Sequence, residues 1–352
     1  MKRVVPGPAP GQSVFVGVDL SRSTWWFSAR WGGEVQRRWS TPNDLRHLEA
    51  LVDAYGTGGL HVAYEACGFG YEMAWRLQAR GAAVTVVAPS TVARTPGLRV
   101  KTDRIDADRL AEELAHGRLK GVAVPTRVDH EHRQLSRTYA QAIQDRQRAQ
   151  ARLRALLQEH GRLGPAPRLG WAAYTRWLAT QVLPAAVQCC VDELRTAREE
   201  AHQRARRLRT ALLAVADDAP YAPLIAALTE QRGIGRFSAI RLRLELGDLR
   251  RFTPAAAFTH YLGLTPSEHS SGDRVQRGHV TKCGPAAVRA WLVQCAWASI
   301  RAHGDPALRA TFERLCPRMG KKRAIIAVTR RLALRLRARW LAALADPTWS
   351  MA

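Results

Sequence analysis

Four acidic residues in the first third of the chain, Asp19, Glu65, Asp103 and Asp106, have the type and placement for metal-assisted chemistry on a phosphodiester. Asp19 closes the apolar run SVFVGVDL, and Glu65 closes LHVAYEA. Asp103 and Asp106 sit at i and i+3 in KTDRIDADRLAEE, on one face of a helix. Carboxylates are hard oxygen ligands that suit Mg²⁺ or Mn²⁺. Two such ions about 4 Å apart clamp the attacking and leaving oxygens of an in-line displacement. Four carboxylates drawn together without cations repel strongly. Each acid also has an ordinary alternative. Asp19 could begin a turn before Ser21, Glu65 could be a surface residue, and Asp103 and Asp106 could be first-turn acids favoured by the helix dipole. Asp108, Glu112 and Glu113 lie on the same helix, with Asp108 turned away from the Asp103/Asp106 face.

The elements that must position these acids are legible in the pattern. SVFVGVDL is a buried strand, and TWWFSARW and EVQRRW follow around the hairpin signal Gly32-Gly33. A helix around Asp44 to Ala54, the strand LHVAYEA, a helix in YEMAWRLQARG closed by Gly81, and the strand AAVTVVAP complete the run. Three strands, helix, strand, helix, strand is the RNase H-like order, an antiparallel meander continued by parallel strands on crossover helices. Asp19 and Glu65 then end adjacent strands, where their carboxylates can converge.

From about Val100 the pattern is helical. Glu131 to His160 carries Leu135, Tyr139, Ala142, Ala149, Leu153 and Leu156 at alternating spacing, interrupted by Arg146. After the break GRLGPAP a second long helix repeats the stripe with Val187, Val191, Leu194, Ala201, Ala205, Leu208 and Leu212, interrupted by Arg198. Such stripes predict an antiparallel coiled-coil arm or an oligomerisation element, with ordinary core helices as the alternative. Further on, GIG between two helical stretches is a helix–turn–helix pattern whose glycines permit close approach to a phosphate backbone. A last helix, Lys321 to Leu344, has Val328, Leu332, Leu336, Trp340 and Leu344 on one face and Arg331, Arg335 and Arg339 beside it. The expected division is an α/β catalytic domain at 13–125, a helical arm at 126–218, a mainly α domain at 219–305 and a basic C-terminal helix at 306–352.

Charge points to the partner. Among 352 residues, 54 Lys and Arg face 30 Asp and Glu, a formal net charge of +24. Arginine dominates, which favours bidentate phosphate contact. A membrane surface is the rival partner, but neither a lipidation signal nor a basic amphipathic terminus supports it. No run of ~20 apolar residues predicts a membrane span, and the start has no secretory h-region. Cys67, Cys189, Cys190, Cys283, Cys295 and Cys316 form no zinc pattern and are expected to be buried, reduced thiols of a cytoplasmic protein.

The polar segment PSEHSSGDRVQRG carries accessible serines, with Arg274, Arg277 and Lys282 able to neutralise a phosphate beside a hydroxyl. Serine is a weak nucleophile without a base or metal. His269 and His279 are nearby but form no convincing His-Asp pair.

The pieces GVDL, YEACGFG, KTDRIDADRLAEEL, GIG, FTHYLGLTPSEHSSG and RGHVTKCGPAAVRAWLVQCAW occur in the order of DEDD insertion-sequence transposases of the IS-one-ten type, which the chain resembles from about Val14 to Leu344. The resemblance implies a RuvC-like nuclease domain joined to a distinct transposase domain. It implies a recombinase that joins donor and target DNA, guided by a structured non-coding bridge RNA. Asp19, Glu65, Asp103 and Asp106 match the DEDD set, and a serine of the SSG loop is implied as nucleophile: Ser271, with Ser270 as the fallback. It implies a composite site in a dimer or tetramer, working in the bacterial cytoplasm on the nucleoid. Lys101, Arg274, Arg277, Lys282, Arg331, Arg335 and Arg339 are the expected nucleic-acid contacts. One departure stands out: Pro285 occupies the position after the Gly of TKCG, where the family usually has Asn, and proline has no N–H to donate. The competing readings are a junction-resolving nuclease of RuvC type without a covalent intermediate, and a non-catalytic nucleic-acid-binding protein. In either case binding is expected to be salt-sensitive. Anisotropy on duplex DNA should show affinity falling ~10³-fold or more between 50 and 200 mM salt if about six phosphates are neutralised, and a flat salt response would refute a charge-driven grip.

Overall fold

A computed structural model of the chain describes residues 7–89, 103–268 and 276–345. The chain divides into two compact units, Met1–Arg127 and Val128–Ala352. The first is mixed α/β. Its elements are β1 (Val14–Leu20), β2 (Thr24–Trp31), β3 (Glu34–Pro42), α1 (Arg46–Tyr55), β4 (Leu60–Glu65), α2 (Glu72–Ala79), β5 (Ala83–Val87) and α3 (Asp103–Ala115). They build one five-stranded sheet in the order β3-β2-β1-β4-β5. The first three strands are antiparallel neighbours, and β4 and β5 add in parallel. The predicted meander with parallel additions is therefore present. Gly81 closes α2 at φ 85, with Gly81 N–H donating to Gln78 O at 2.9 Å and Ala82 N–H to Leu77 O at 3.0 Å, a Schellman ending.

Strand alternation decides which residues meet which layer. Val14, Val16 and Val18 pair in register with Leu60, Val62 and Tyr64. All six are buried in one core with Met73, Ala74 and Leu77 of α2 and with Leu48 of α1, each large apolar side chain contributing roughly 1.5–3 kcal/mol. The alternate residues Phe15, Gly17 and Asp19 face the other side, where α3 lies. A methyl group on Gly17 would stand 2.5 Å from the Ala111 nitrogen, 2.9 Å from Leu110 Cβ, and closer still to the Ala107 carbonyl oxygen. Only glycine admits the helix at this height.

The second unit is largely helical. It comprises α4 (Arg127–Glu159), α5 (Gly170–Leu178), α6 (Ala185–Val215), α7 (Ala222–Thr229), α8 (Arg236–Leu246), α9 (Ala255–Tyr261), the hairpin strands β6 (Pro266–Glu268) and β7 (Arg277–Val280), α10 (Ala286–Ser299), α11 (Pro306–Met319) and α12 (Lys321–Ala345). The two long helices sit where their stripes predict, and Arg204 of α6 approaches Asp145 of α4 at 3.6 Å. Between them α5, which the periodicity did not reveal, packs Tyr174 and Leu178 against Leu153, Leu157 and Val191. Its Trp171 ring also lies 4.1 Å from the Arg198 guanidinium. The arginine that interrupts the stripe is thus buried under an indole, and burial lowers its pKa.

One apolar core joins α7 to α12, with Val328, Leu332, Leu336 and Trp340 of the last helix inside it. Polar groups tie its edges. Tyr221 Oη donates to Asp129 Oδ1 at 2.8 Å, and Arg243 bridges Asp129 at 3.0 Å. Arg241 lies 3.7 Å from the Trp291 ring and donates to Ser136 Oγ at 3.2 Å; burial pushes its pKa down to about 10. Asp305 accepts from Leu308 N–H at 3.0 Å as the N-cap of α11, from Gln231 at 3.0 Å and from Arg335 at 2.6 Å. All six cysteines are free, but the expectation of buried thiols holds only for Cys295. Cys67, Cys189, Cys190 and Cys283 are exposed and Cys316 is half-buried, because loop ends and outward helix positions carry them. Among the described residues no helix is long and apolar enough to cross a membrane.

Two outcomes follow from this packing. Gly17→Ala is expected to cost about 1–3 kcal/mol or more through overpacking, seen as a lowered thermal midpoint. Gly58→Ala, where nothing lies within 4 Å, serves as the neutral control, and equal melts for the two variants would refute the close approach of α3. Burial raises the Asp305 carboxyl, but the bonds from Gln231, Leu308 N–H and Arg335 more than reverse it, so its folded pKa lies below the ordinary value. The stabilisation is therefore present above the unfolded pKa, about 3.9, and lost as pH falls through the folded one. Asp305→Asn should lose about 1.5–3 kcal/mol at pH 7, and the gap to wild type should close below about pH 4. A gap that does not change with pH would contradict the ionised hub.

Candidate active site

Asp19 and Glu65 reach the same edge of the sheet for a simple reason. Val18 of β1 pairs with Tyr64 of β4 in parallel register, so the next residue on each strand is an acid. Both are half-buried. They share a face with Gly17 and Ala63, and with Phe15 and His61, whose rings stack 5.1 Å apart. This is the face that carries α3.

Helix periodicity brings the other two acids to the same side. Ala107, Leu110 and Ala111 meet Gly17, and Asp103 and Asp106 precede them at spacings that keep one stripe. Asp106 is 7% exposed, while Asp103 opens the helix and is exposed. Asp108 points elsewhere: both its oxygens accept from Arg38 Nε of β3, at 2.8 and 2.9 Å. That pair fixes the rotation of α3 about its axis. Glu113 pairs with Arg118 at 2.9 Å.

Two neighbours of the acids escaped the sequence reading. Asp106 Oδ1 accepts from Arg109 Nη2 at 2.8 Å, a largely buried i,i+3 pair; the spacing was the available signal. Cys67 lies just past the end of β4. Although the residue as a whole is exposed, desolvation of its thiol by nearby protein raises the pKa first, and the carboxylates of Asp19 and Glu65 raise it further, while a bond from Phe69 N–H acts the other way. One thiol thus feels both strand-end acids. As a donor set, hard carboxylate oxygens on adjacent strand ends and on the helix stripe above them fit a divalent cation. Among the described residues no three ligating side chains are drawn close enough to hold one as they stand.

In the second unit the candidate serine, Ser271, and its fallback Ser270 fall outside the described residues, as do Lys101, His269 and Arg274. Arg277 opens β7, opposite Glu268 of β6, and His279 is exposed on the same strand. Beyond the hairpin, Lys282 is exposed with φ 54, and the following turn is pressed against the loop after α9. A methyl on Gly263 would stand 2.6 Å from the Cys283 nitrogen, and Arg289 Nη1 donates to Leu262 O and Cys283 O, each at 2.9 Å. Pro285 is the N-cap of α10, which has no side-chain cap bond. The two glycines of GIG have different surroundings. A methyl on Gly233 would stand 2.6 Å from the Ser299 nitrogen, so that glycine serves internal packing, whereas nothing lies within 4 Å of Gly235. The three arginines of α12 have partners inside the protein: Arg331 on Thr311 at 2.7 Å, Arg335 on Asp305, and Arg339 on Glu230.

The chain is similar to known proteins over most of its length. Residues 16–161 match a transposase family model of the IS110 DEDD type, and residues 225–313 match that of the transposase IS116/IS110/IS902 family. The chain is 33% identical over 298 residues to y4qE of Sinorhizobium fredii, named as a transposase, covering 81% of this chain and 72% of that one. It is 30% identical over 248 residues to a protein named family 20 transposase of Pseudomonas aeruginosa, covering 68% and 71%. With y4rJ of Sinorhizobium fredii, also named as a transposase, identity is 28% over 360 residues and covers 92% and 91%. A DEDD domain implies dependence on a divalent metal, and transposases act on DNA. By sequence, sheet order and matched domains together, the chain belongs to the IS110 family of insertion-sequence transposases.

Proposed function

We propose that the first unit is a RuvC-like nuclease domain in which Asp19, Glu65, Asp103 and Asp106 hold Mg²⁺ or Mn²⁺ against a DNA phosphate. The observation that carries this reading is the register of β1 on β4, which ends two adjacent parallel strands in Asp19 and Glu65 under the acidic stripe of α3. A divalent cation held there would neutralise charge at the phosphate and assist deprotonation of the attacking hydroxyl. The residues of the chain do the rest. The four carboxylates would hold the cation that neutralises the phosphate, and Ser271, with Ser270 as the fallback, attacks the phosphorus. The Ser271 Oγ–P bond forms as one P–O bond to deoxyribose breaks. The serine proton leaves, and the departing sugar oxygen gains one. Attack by a hydroxyl from another strand end reverses the sequence and rejoins the DNA, so exchange needs no external energy source.

The formal charge of +24 supports a second polyanion, a bridge RNA whose base pairing would carry target choice. We assign Lys101, Arg274, Arg277 and Lys282 to backbone contacts in a homo-oligomer. For Arg331, Arg335 and Arg339 the internal partners favour a structural role.

Asp19→Asn is expected to abolish DNA processing, by roughly 10⁴-fold or more as for groups acting as a unit, while DNA retention survives. Ser271→Ala should abolish strand exchange, and a covalent protein–DNA adduct should be trapped from wild type only. Normal recombination by that variant removes the serine from the mechanism. Hydrolysed, unjoined products from wild type favour the RuvC-type resolving nuclease instead.

A further inference from the structure

Arg109 bonds a member of the acid set from within the same helix, and the bond is specific. Its Nη2 donates to Asp106 Oδ1 at 2.8 Å, with side-chain exposures of 21% and 10%. The pair is intrahelical, so breaking it requires a rotation of one side chain and no movement of the backbone. The guanidinium is otherwise poorly held, for its Nε is buried and has no hydrogen-bond partner among the described residues. An arginine with one satisfied anchor and one orphaned donor is less firmly fixed than a bidentate one. The oxygen it occupies belongs to the residue that α3 turns toward the Asp19/Glu65 face. A divalent cation taking Asp106 as a ligand must share that carboxylate with Arg109, where the two positive charges repel at close range, or turn the guanidinium aside.

We propose that Arg109 is a positioning residue that competes with the divalent cation for Asp106, and so sets the cation concentration at which the site loads. This rests on the acid set being the metal site. With Arg109 in place, the Asp106 carboxylate is neutralised and pre-oriented without metal, which limits the repulsion among the four acids. The cation, with twice the charge, wins when its concentration is high enough. Asp108 differs: both its oxygens share the Nε–H of Arg38 on β3, a bond that couples two elements and serves the fold, whereas the Asp106–Arg109 bond lies within one turn of α3.

The test is direct binding of Mn²⁺ alone to the full chain, followed by calorimetry, for wild type, Arg109→Gln, Arg109→Lys, Asp19→Asn and Asp106→Asn. Arg109→Gln is expected to bind Mn²⁺ about 5- to 10-fold more tightly, the scale of a partly buried charge pair near 1 kcal/mol. Arg109→Lys, which keeps the charge with fewer directed donors, should fall between that variant and wild type. Asp19→Asn and Asp106→Asn should lose the binding. Unchanged or weaker Mn²⁺ affinity in both Arg109 variants, with binding lost in the two acid variants, overturns the competition and leaves the metal site standing. Full Mn²⁺ binding by both acid variants overturns the metal site itself. A purely structural Arg109 would lower thermal stability without tightening Mn²⁺ binding, so the sign of the affinity change separates the two roles.

Discussion

The contact between the α3 backbone and Gly17 is the constraint on which the first unit depends. A helix normally stands off a sheet by the thickness of two side-chain layers. Here the sheet presents Gly17 and Ala63 side by side, and the helix answers with Ala107 and Ala111. Backbone therefore approaches backbone. The close approach lays α3 on the face of the sheet that carries the strand-end acids, and the Arg38–Asp108 pair ties the helix to β3. Without both, Asp103 and Asp106 would still share a helical face, but that face would have no reason to meet Asp19 and Glu65.

Arginine in this chain has two occupations, and the net charge alone does not separate them. Some of the 54 basic residues serve the helical unit as structure. Arg241 is enclosed by aromatic rings, Arg198 lies under Trp171, Arg243 is paired to Asp129, and Arg335 is tied to Asp305. A guanidinium is suited to such positions because it is weakly hydrated, stacks on rings and offers directed donors. Arginines held this way are not available for direct phosphate contact, although the net excess of +24 is unchanged by their pairing with acids. The same distribution explains why the stripe of α12 reads equally well as a basic face and as a set of internal ties.

Much of the architecture was legible beforehand. The strand order, the Gly32-Gly33 turn, the Gly81 helix ending, the two long helices and the buried stripe of α12 all follow from local periodicity and turn chemistry. These are near-neighbour properties, and they survive folding because the tertiary packing agrees with them. What was missed has the opposite character. Helix α5 is short and its pattern is aromatic rather than periodic. The close approach of Gly233 to Ser299 joins residues far apart in the chain. The exposure of Cys67, Cys189, Cys190 and Cys283 depends on which side of an element faces out.

For the candidate site the division is sharper. The identities of the four acids, their strand-end and i,i+3 placement, and the hard-ligand chemistry they offer were determined by the sequence alone. Local backbone geometry makes them so whatever the rest of the chain does. The strand order and helix spacing led to the expectation that Glu65 lies beside Asp19 and that Asp108 turns away, while tertiary structure supplied the register of β4 on β1. It alone decided that α3 lies on that face, and that Asp108 pairs with Arg38 while Asp106 is held by Arg109. Register and helix rotation are settled by contacts between segments dozens of residues apart, and no local pattern in the chain encodes those contacts.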